Sequence, residues 1–264
     1  PFELLVCADA DPEVEETTRR WFPEAHVVHI EKSLPSAGRN HLINRARGEL
    51  LLWLDDDIEF GPHLLRDLAL LADAHPDVAV FGGPNDTPPH STRFQFVQGA
   101  VLASIVASGP VRRRYGTHPA GDADERWFIL CNLAVRRHVM RRFDDDLVCA
   151  EENALLTELH DAGERMLYDP RLRVFHDRRA DLPGFVRQMY KYGRGRGQLM
   201  RRTPGSVRLA FLAPAMLLCY VVAAPLLAVV SPWALAPLAA YVLAVLAGGG
   251  KVAASLHRWS TWPL

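Results

Sequence analysis

Net charge is what this chain has least of. Its 30 Lys+Arg and 31 Asp+Glu leave a formal charge of −1 over 264 residues, a balance that speaks against a nucleic-acid binder if the charge is spread evenly. Cysteine is scarce as well. Cys7, Cys131, Cys149 and Cys219 show no metal-type spacing, which excludes a disulfide-built miniprotein; four scattered thiols are expected to be reduced and structural. Hydrophobic residues at 49% and charged residues at 23% are ordinary globular values and exclude disorder and collagen. The length allows one large domain or a domain with an appendage.

The charge balance is a cancellation. Residues 1–170 hold 17 Lys+Arg and 29 Asp+Glu, residues 171–208 hold 11 and 2, and residues 209–264 hold 2 and none. An acidic block, a basic belt and a nearly uncharged tail follow one another, and such asymmetry points to a surface partner for the belt.

The tail names that partner. From Leu209 to Gly250 there are 42 residues without Asp, Glu, Lys, Arg or His. A membrane span needs about 20 apolar residues, so the run fits two helices, about 209–230 and 233–249, with Ser231-Pro232 as the turn. Pro214, Pro225 and Pro237 are tolerated better in membrane helices than in soluble ones. A buried soluble hairpin is disfavoured because soluble helices normally keep a polar face. Arg201, Arg202 and Arg208 precede the hairpin, and Lys251 and Arg258 follow it. By the positive-inside rule both ends, and the acidic block, are cytoplasmic. No signal peptide opens the chain, which begins on the strand-like Phe2–Cys7 without Met and ends on Trp262-Pro263-Leu264; a piece is expected to be missing at each end.

The acidic block alternates strand and helix patterns. Strands are expected at Phe2–Cys7, Val27–Ile30, Leu50–Leu54 and Val78–Phe81, and helices at Asp11–Phe22, Ala37–Arg47 and Pro62–Ala74, with Gly48 stopping the second. The continuous apolar run Leu50–Leu54 suits a parallel sheet covered on both faces. This is an α/β pattern. Ligands in such folds bind beyond the carboxyl ends of the strands, so the acids after each strand matter most. Asp55-Asp56-Asp57 directly follows Leu50–Leu54, and Asp9 and Asp11 follow the first strand. Taken alone, the triplet is either a solvated acidic turn or a site for Mg2+ or Mn2+, hard ions that bridge carboxylates to phosphates. The preceding strand favours the metal.

The stretch Phe2–Asp57 resembles family 2 inverting glycosyltransferases of the GT-A fold. The resemblance rests on Leu34-Pro35-Ser36-Ala37-Gly38-Arg39-Asn40, on Arg47-Gly48-Glu49 and on Asp55-x-Asp57, which matches the family's D-x-D. It implies a mixed, mostly parallel sheet. It further implies that Asp9 holds the uracil or ribose, that Arg39 faces the base or a phosphate, that Asp55 and Asp56 belong to the donor site, and that Asp57, with Asp55, holds the metal. Two departures stand out. The usual first strand is absent, and with it part of the nucleotide pocket, and the usual glycine after the nucleoside Asp is Ala10.

The second half continues the resemblance. Cys131–Arg137 resembles the family's small-residue strand with an Arg-Arg turn, and Phe143-Asp144-Asp145-Asp146-Leu147 its Phe-Asp-Glu loop; the residues themselves read Asp144–Asp146 as a surface turn. Glu151-Glu152 opens a helix running to Ala162 and closed by Gly163. This is the place of the family's Glu-Asp pair, whose second member is the base, so the resemblance assigns that role to Glu152 with Glu151 beside it. A helix N-terminus favours the ionised form, as a base awaiting a hydroxyl proton requires. His176 ends a strand at Leu172–Phe175; a lone His is usually structural, and in some family members it is a further metal ligand. Gly82-Gly83-Pro84 and the loop Gly109–Arg126 are expected to line substrate, while Trp127 is open between sugar stacking and core.

In the basic belt, Gln188-Met189-Tyr190-Lys191-Tyr192 is a loose variant of the Q-x-x-R-W of the family's membrane synthases. Interfacial aromatics and cations drawn to anionic lipid make the belt a membrane-docking helix. The sharper expectation adds that Gln188, Lys191, Tyr192 and Arg194 meet a diphosphate or a lipid-linked acceptor. A nucleic-acid role is not expected beside a membrane span.

The expected organisation is a GT-A domain at 1–180, a basic amphipathic segment at 181–208 and transmembrane helices in 209–264. The resemblance, closest to bacterial exopolysaccharide enzymes of the succinoglycan class, implies a multi-pass protein of the inner membrane with its catalytic domain in the cytoplasm. It would carry sugar from a nucleotide donor to a lipid-linked or glycan acceptor with Mg2+ or Mn2+. Polyprenyl-phosphate sugar synthesis and a catalytically silent membrane scaffold or export partner are the alternatives.

Overall fold

The computed structural model describes residues 1–31, 33–147, 149–202 and 209–259. Arg208 and the Trp262–Leu264 end lie outside them. The first strand is shifted toward its acidic end: β1 is Leu5–Asp9, followed by α1 (Pro12–Trp21), β2 (His26–Ile30) and α2 (Pro35–Ile43). Asp11 caps α1 by accepting from the Glu13 amide, as an N-cap acid should. β3 (Leu50–Leu54) lies where the apolar run places it. After it come β4 (Ile58–Phe60), α3 (Leu64–Ala74), β5 (Val78–Gly82) and β6 (Asn85–Asp86).

An insert then holds α4 (Arg93–Leu102), α5 (Ile105–Ser108), a 3-10 turn at Gly109–Arg114 and β7 (Gly121–Asp122). The chain returns through β8 (Asn132–Arg136), α6 (Glu151–Asp161), β9 (Arg165–Tyr168) and β10 (Val174–His176). It ends in three long helices, α7 (Leu182–Arg202), α8 (Leu209–Val230) and α9 (Ala236–Trp259).

The central sheet has the order β3-β8-β5-β9-β7, flanked by the pair β1-β2 and the three-stranded β4-β10-β6. It is mixed, as expected, but not mostly parallel. Three pairings are parallel (β1 with β2, β5 with β9, β6 with β10) and four are antiparallel. The reason is β8. The insert leaves the sheet at the carboxyl edge of β5 and returns to it at the same edge. β8 therefore enters from that edge, Leu133 opposite Gly82 and Asn132 opposite Leu54, and runs down between β3 and β5.

Side chains alternate across this sheet. Leu51, Trp53, Val80, Leu133 and Val135 face Leu155, Leu156 and Leu159 of α6. Phe81 and Ala134 face Leu64, Leu68 and Leu71 of α3 on the other side. Both faces of Leu50–Leu54 are thus covered, and the acids that follow it are held at the rim of a rigid three-layer block.

Gly82, Gly83 and Pro84 are buried, which corrects their expected place in the substrate lining. A Cβ on Gly82 would lie 2.7 Å from Phe128, and one on Gly83 would lie 2.3 Å from the Leu172 carbonyl oxygen. These glycines let two backbones meet.

In the tail, the stretches Phe211–Val230 and Pro232–Ala254 are long and apolar enough to cross a membrane. Their large side chains face outward: Val222, Leu226 and Val230 are 71%, 76% and 86% exposed. The second helix is longer than its expected 233–249, because Lys251 and the residues after it continue the helix. The Tyr220 hydroxyl donates to the Ala234 carbonyl and pins the turn between the two.

Candidate active site

Two short elements bring the acids together. β3 delivers Asp55 and Asp57 to the carboxyl edge of the sheet, and β10 ends beside them at His176. His176 Nε2 lies 3.0 Å from Asp57 Oδ1, while its Nδ1 lies 3.5 Å from the Asn85 amide nitrogen. Ligand atoms of Asp55, Asp57 and His176 all lie within 4.8 Å of one another. Two hard carboxylate oxygens and an imidazole fit Mn2+ or Mg2+. Asp56 is exposed and outside this cluster.

Arg39 connects the cluster to the start of α6. It stands on α2, which lies close against β1 because position 38 is glycine; a Cβ there would come 2.9 Å from Cys7 Sγ. The guanidinium spans two carboxylates, Nη1 at 2.5 Å from Glu151 Oε1 and Nη2 at 3.3 Å from Asp55 Oδ1. Asn40, fully buried next to it, donates to the Phe143 carbonyl at 2.9 Å and accepts from the Phe143 amide at 2.8 Å. That clamp fixes the loop leading to Glu151. Burial pushes the Glu151 carboxyl up, with the Glu152 charge adding to it. Burial likewise raises Asp55. The His176 hydrogen bond holds Asp57 below the usual carboxylate range.

Glu152 has different neighbours. Its Oε1 accepts from Asn153 Nδ2 at 2.8 Å and lies 3.7 Å from Arg114 Nη1. Arg114 also donates to Asn153 Oδ1 at 2.5 Å, as does Arg196 of α7 at 3.2 Å. Both glutamates are buried in the first turn of α6. Ala150, which caps that helix, has φ +72, a left-handed conformation costly for any residue with a Cβ.

A family model described as Glycosyl transferase family 2 matches residues 1–143. The chain belongs to glycosyl transferase family 2. No curated protein matches it. Among solved structures, it is similar to the mannosyltransferase PcManGT from Pyrobaculum calidifontis in complex with GDP-Man and Mn2+. The identity is 16% and the TM-score 0.54, over 98% of this chain and 73% of that one. It is also similar to S. aureus TarS in complex with UDP-GlcNAc, at 13% identity and TM-score 0.51 over 75% of this chain and 58% of that one. The chain spans little more than half of the TarS chains it matches, 56% in the UDP complex. These likenesses show the fold: GT-A-like α/β with a mixed sheet, here followed by two helices apolar enough to span a membrane.

Within this family 2 chain the remaining expected residues are dispersed. Asp9 ends β1, is exposed, and accepts from the Ser33 amide at 2.9 Å. On α7, Lys191 and Arg194 are exposed, and the Gln188 amide donates to the Tyr192 hydroxyl at 3.1 Å. From the belt, Arg196 bonds Asn153 beside the glutamates. Close packing allows this: Gly195 lies so close to Cys149 that a Cβ would come 2.3 Å from its Sγ, which brings α7, and Arg196 with it, near the start of α6. The belt's other end holds the acidic turn. Arg202 pairs with Asp144 at 2.6 Å and with Asp146 at 2.9 Å, so the surface turn is an anchor for α7. Trp127 packs against Tyr168 and His118, with the Arg113 guanidinium 4.2 Å above its ring.

Arg114, Asn153 and Arg196 were not found from the sequence. Arg114 lies 38 positions before Glu152 in a segment without regular periodicity. The only sequence signal for Arg196 is the Gly-Arg-Gly pattern that permits close helix contact.

Proposed function

We propose that this protein is a membrane-anchored inverting glycosyltransferase that moves a sugar from a nucleotide-diphosphate donor to a lipid-linked or glycan acceptor. In this reading residues 1–180 form the catalytic domain, 181–208 lie on the inner membrane surface and 209–264 anchor the chain, with the catalytic domain cytoplasmic. The observation that carries it is the Arg39 bridge: one guanidinium holds the Asp55–Asp57–His176 cluster and the Glu151-Glu152 turn as a single constellation at the carboxyl edge of the sheet.

Asp55, Asp57 and His176 would hold Mn2+ or Mg2+, an ion that supplies stabilisation of the leaving diphosphate. The donors bound by the two structural neighbours, GDP-Man and UDP-GlcNAc, support a nucleotide-sugar donor here. Glu152 takes the acceptor proton while the acceptor oxygen bonds to the anomeric carbon and the bond from that carbon to the diphosphate breaks, inverting the configuration. Glu151 is engaged by Arg39 and positions it. Asp9 would hold the nucleoside, the role the family resemblance implies for it.

The test is turnover of UDP-, GDP- and dTDP-sugars by membranes carrying the protein, with lipid extract as acceptor and with or without Mn2+. Metal-dependent turnover that falls at least about 10³-fold in Asp57→Ala is expected. Absence of turnover with every donor, or full activity in Asp57→Ala, overturns the proposal.

A further inference from the structure

The insert between β6 and β7 carries a feature that the transfer reaction does not use. α4 and the stretch Ile105–Arg114 are apolar enough together to resemble a span, but they meet at a bend of 61°. α4 itself is tied to the soluble block. Gln95 Nε2 donates to the Arg178 carbonyl at 2.7 Å, and Gln98 Nε2 donates to the Arg179 carbonyl at 2.5 Å. A helix so bonded to the segment after His176 cannot leave it to cross a bilayer, because those carbonyls would lose their partners. What the bend leaves outside is the tip. Ile105 is 69% exposed and Val106 is 45% exposed.

The tip does not stand alone. Val106 meets α9 at Gly248, where a Cβ would come within 3.3 Å of its Cγ2. Gly248 lies near the end of the apolar stretch Pro232–Ala254, three residues before Lys251. If α9 spans a membrane, that end is at the lipid–water boundary, so Ile105 and Val106 are at the same level. Arg112 and Arg113 follow within two turns, and Arg113 is exposed. Exposed branched apolar residues beside cations are the composition of an element that enters the headgroup layer of anionic lipid.

We infer that the tip at 103–113 is a second bilayer contact, seated in the headgroup region of an anionic membrane beside α9. The inference rests on the proposed reading of α8 and α9 as spans. The same segment runs on to Arg114, which bonds Asn153 and faces Glu152, so the contact would be joined to the site through one short stretch of chain.

An environment-sensitive fluorescent amino acid introduced at position 105, and separately at position 222 in α8, tests both readings in the whole chain. The protein is placed in nanodiscs of phosphatidylcholine and phosphatidylglycerol, with and without doxyl-labelled lipid. Quenching at 222 by deep doxyl groups and at 105 by shallow ones is the expected result. Quenching at 222 without any at 105 overturns the second contact and leaves the spans standing. Quenching at neither position overturns both. Replacing the phosphatidylglycerol by phosphatidylcholine is expected to reduce quenching at 105 and leave 222 unchanged; equal quenching at 105 in the two lipids would remove the anionic part of the inference.

Discussion

The rim of the sheet and the tail treat charge in opposite ways. At the rim, acids are drawn wholly or partly out of water and four of them are matched: Asp55 and Glu151 by Arg39, Asp57 by His176, Glu152 by Arg114. In the tail, charge is nearly absent and apolar side chains stand outward along α8. A buried charge is tolerable when its partner is present, and removing one partner costs more than the pair ever contributed. An outward apolar helix has no such internal remedy. Its exposed surface is relieved only by an apolar surrounding. The two regions therefore fail differently when altered, the rim through a lost partner and the tail through a gained charge.

The largest effect expected at the rim is chemical. Glu152→Gln keeps the shape and the hydrogen bond from Asn153 but cannot take a proton. Its transfer rate should fall about 10³-fold, about 4 kcal/mol in the barrier. Thermal unfolding should be almost unchanged, and Glu151→Gln should lose less rate. A larger loss in Glu151→Gln than in Glu152→Gln would exchange the two roles.

Next comes Arg39→Ala, which leaves Asp55 and Glu151 facing each other in a site where burial already raises both. The guanidinium is only 20% exposed, so about 3 kcal/mol of stability should be lost, read as a lower melting temperature in detergent. Arg39→Lys should not restore it, because a point ammonium cannot span two carboxylates as the planar fork does.

The matching change in the tail is Leu226→Arg. Leu226 lies four residues before the end of the stretch Phe211–Val230, where an arginine costs somewhat less than the about 3 kcal/mol, relative to an apolar residue, that it costs at the centre of a span. Membrane integration should drop accordingly in an insertion assay. The same substitution at Leu65 of α3, an exposed position on the soluble block, should change stability by less than about 0.5 kcal/mol. Equal tolerance at both positions would erase the distinction between the regions.

How much of this was legible in the sequence follows the range of each interaction. Leu50–Leu54 and Leu209–Val230 match their strand and helix residue for residue, because an apolar run is a local signal. Asp55 and Asp57 stand out because they follow a strand, whereas Glu151 and Glu152 are marked by the family resemblance, a first helical turn alone leaving their role open. His176 was found as a strand end, but its contact with Asp57 spans 119 positions and has no local mark. Arg39 was singled out by a motif, while its two partners come from β3 and α6 and could be known only once the layers are assembled. The direction of β8 was missed for the same reason. It depends on the edge at which the insert returns to the sheet, and no periodicity records that. β6 and β7, two residues each, are too short to have one.

The smallest effect concerns Ala10, the position directly after Asp9. Its φ is +55, and its amide bonds the carbonyls of Ala8 and Ile30, so the turn is held on both sides and cannot relax to a right-handed conformation. An L-residue there carries about 1–2 kcal/mol of steric strain, from which the greater unfolded-state freedom of glycine must be subtracted. Ala10→Gly should therefore stabilise the protein by about 0.5–1 kcal/mol, seen as a higher melting temperature with no change in turnover. This is the place where the family resemblance has glycine, and the backbone supplies the reason. The same substitution at Ala8, two residues earlier in the extended strand β1 and fully buried, should instead destabilise, since glycine there only removes packing and adds chain entropy. Opposite signs at two alanines two positions apart would assign the effect to φ alone, and a loss of stability at both would show that the turn at Ala10 carries no strain.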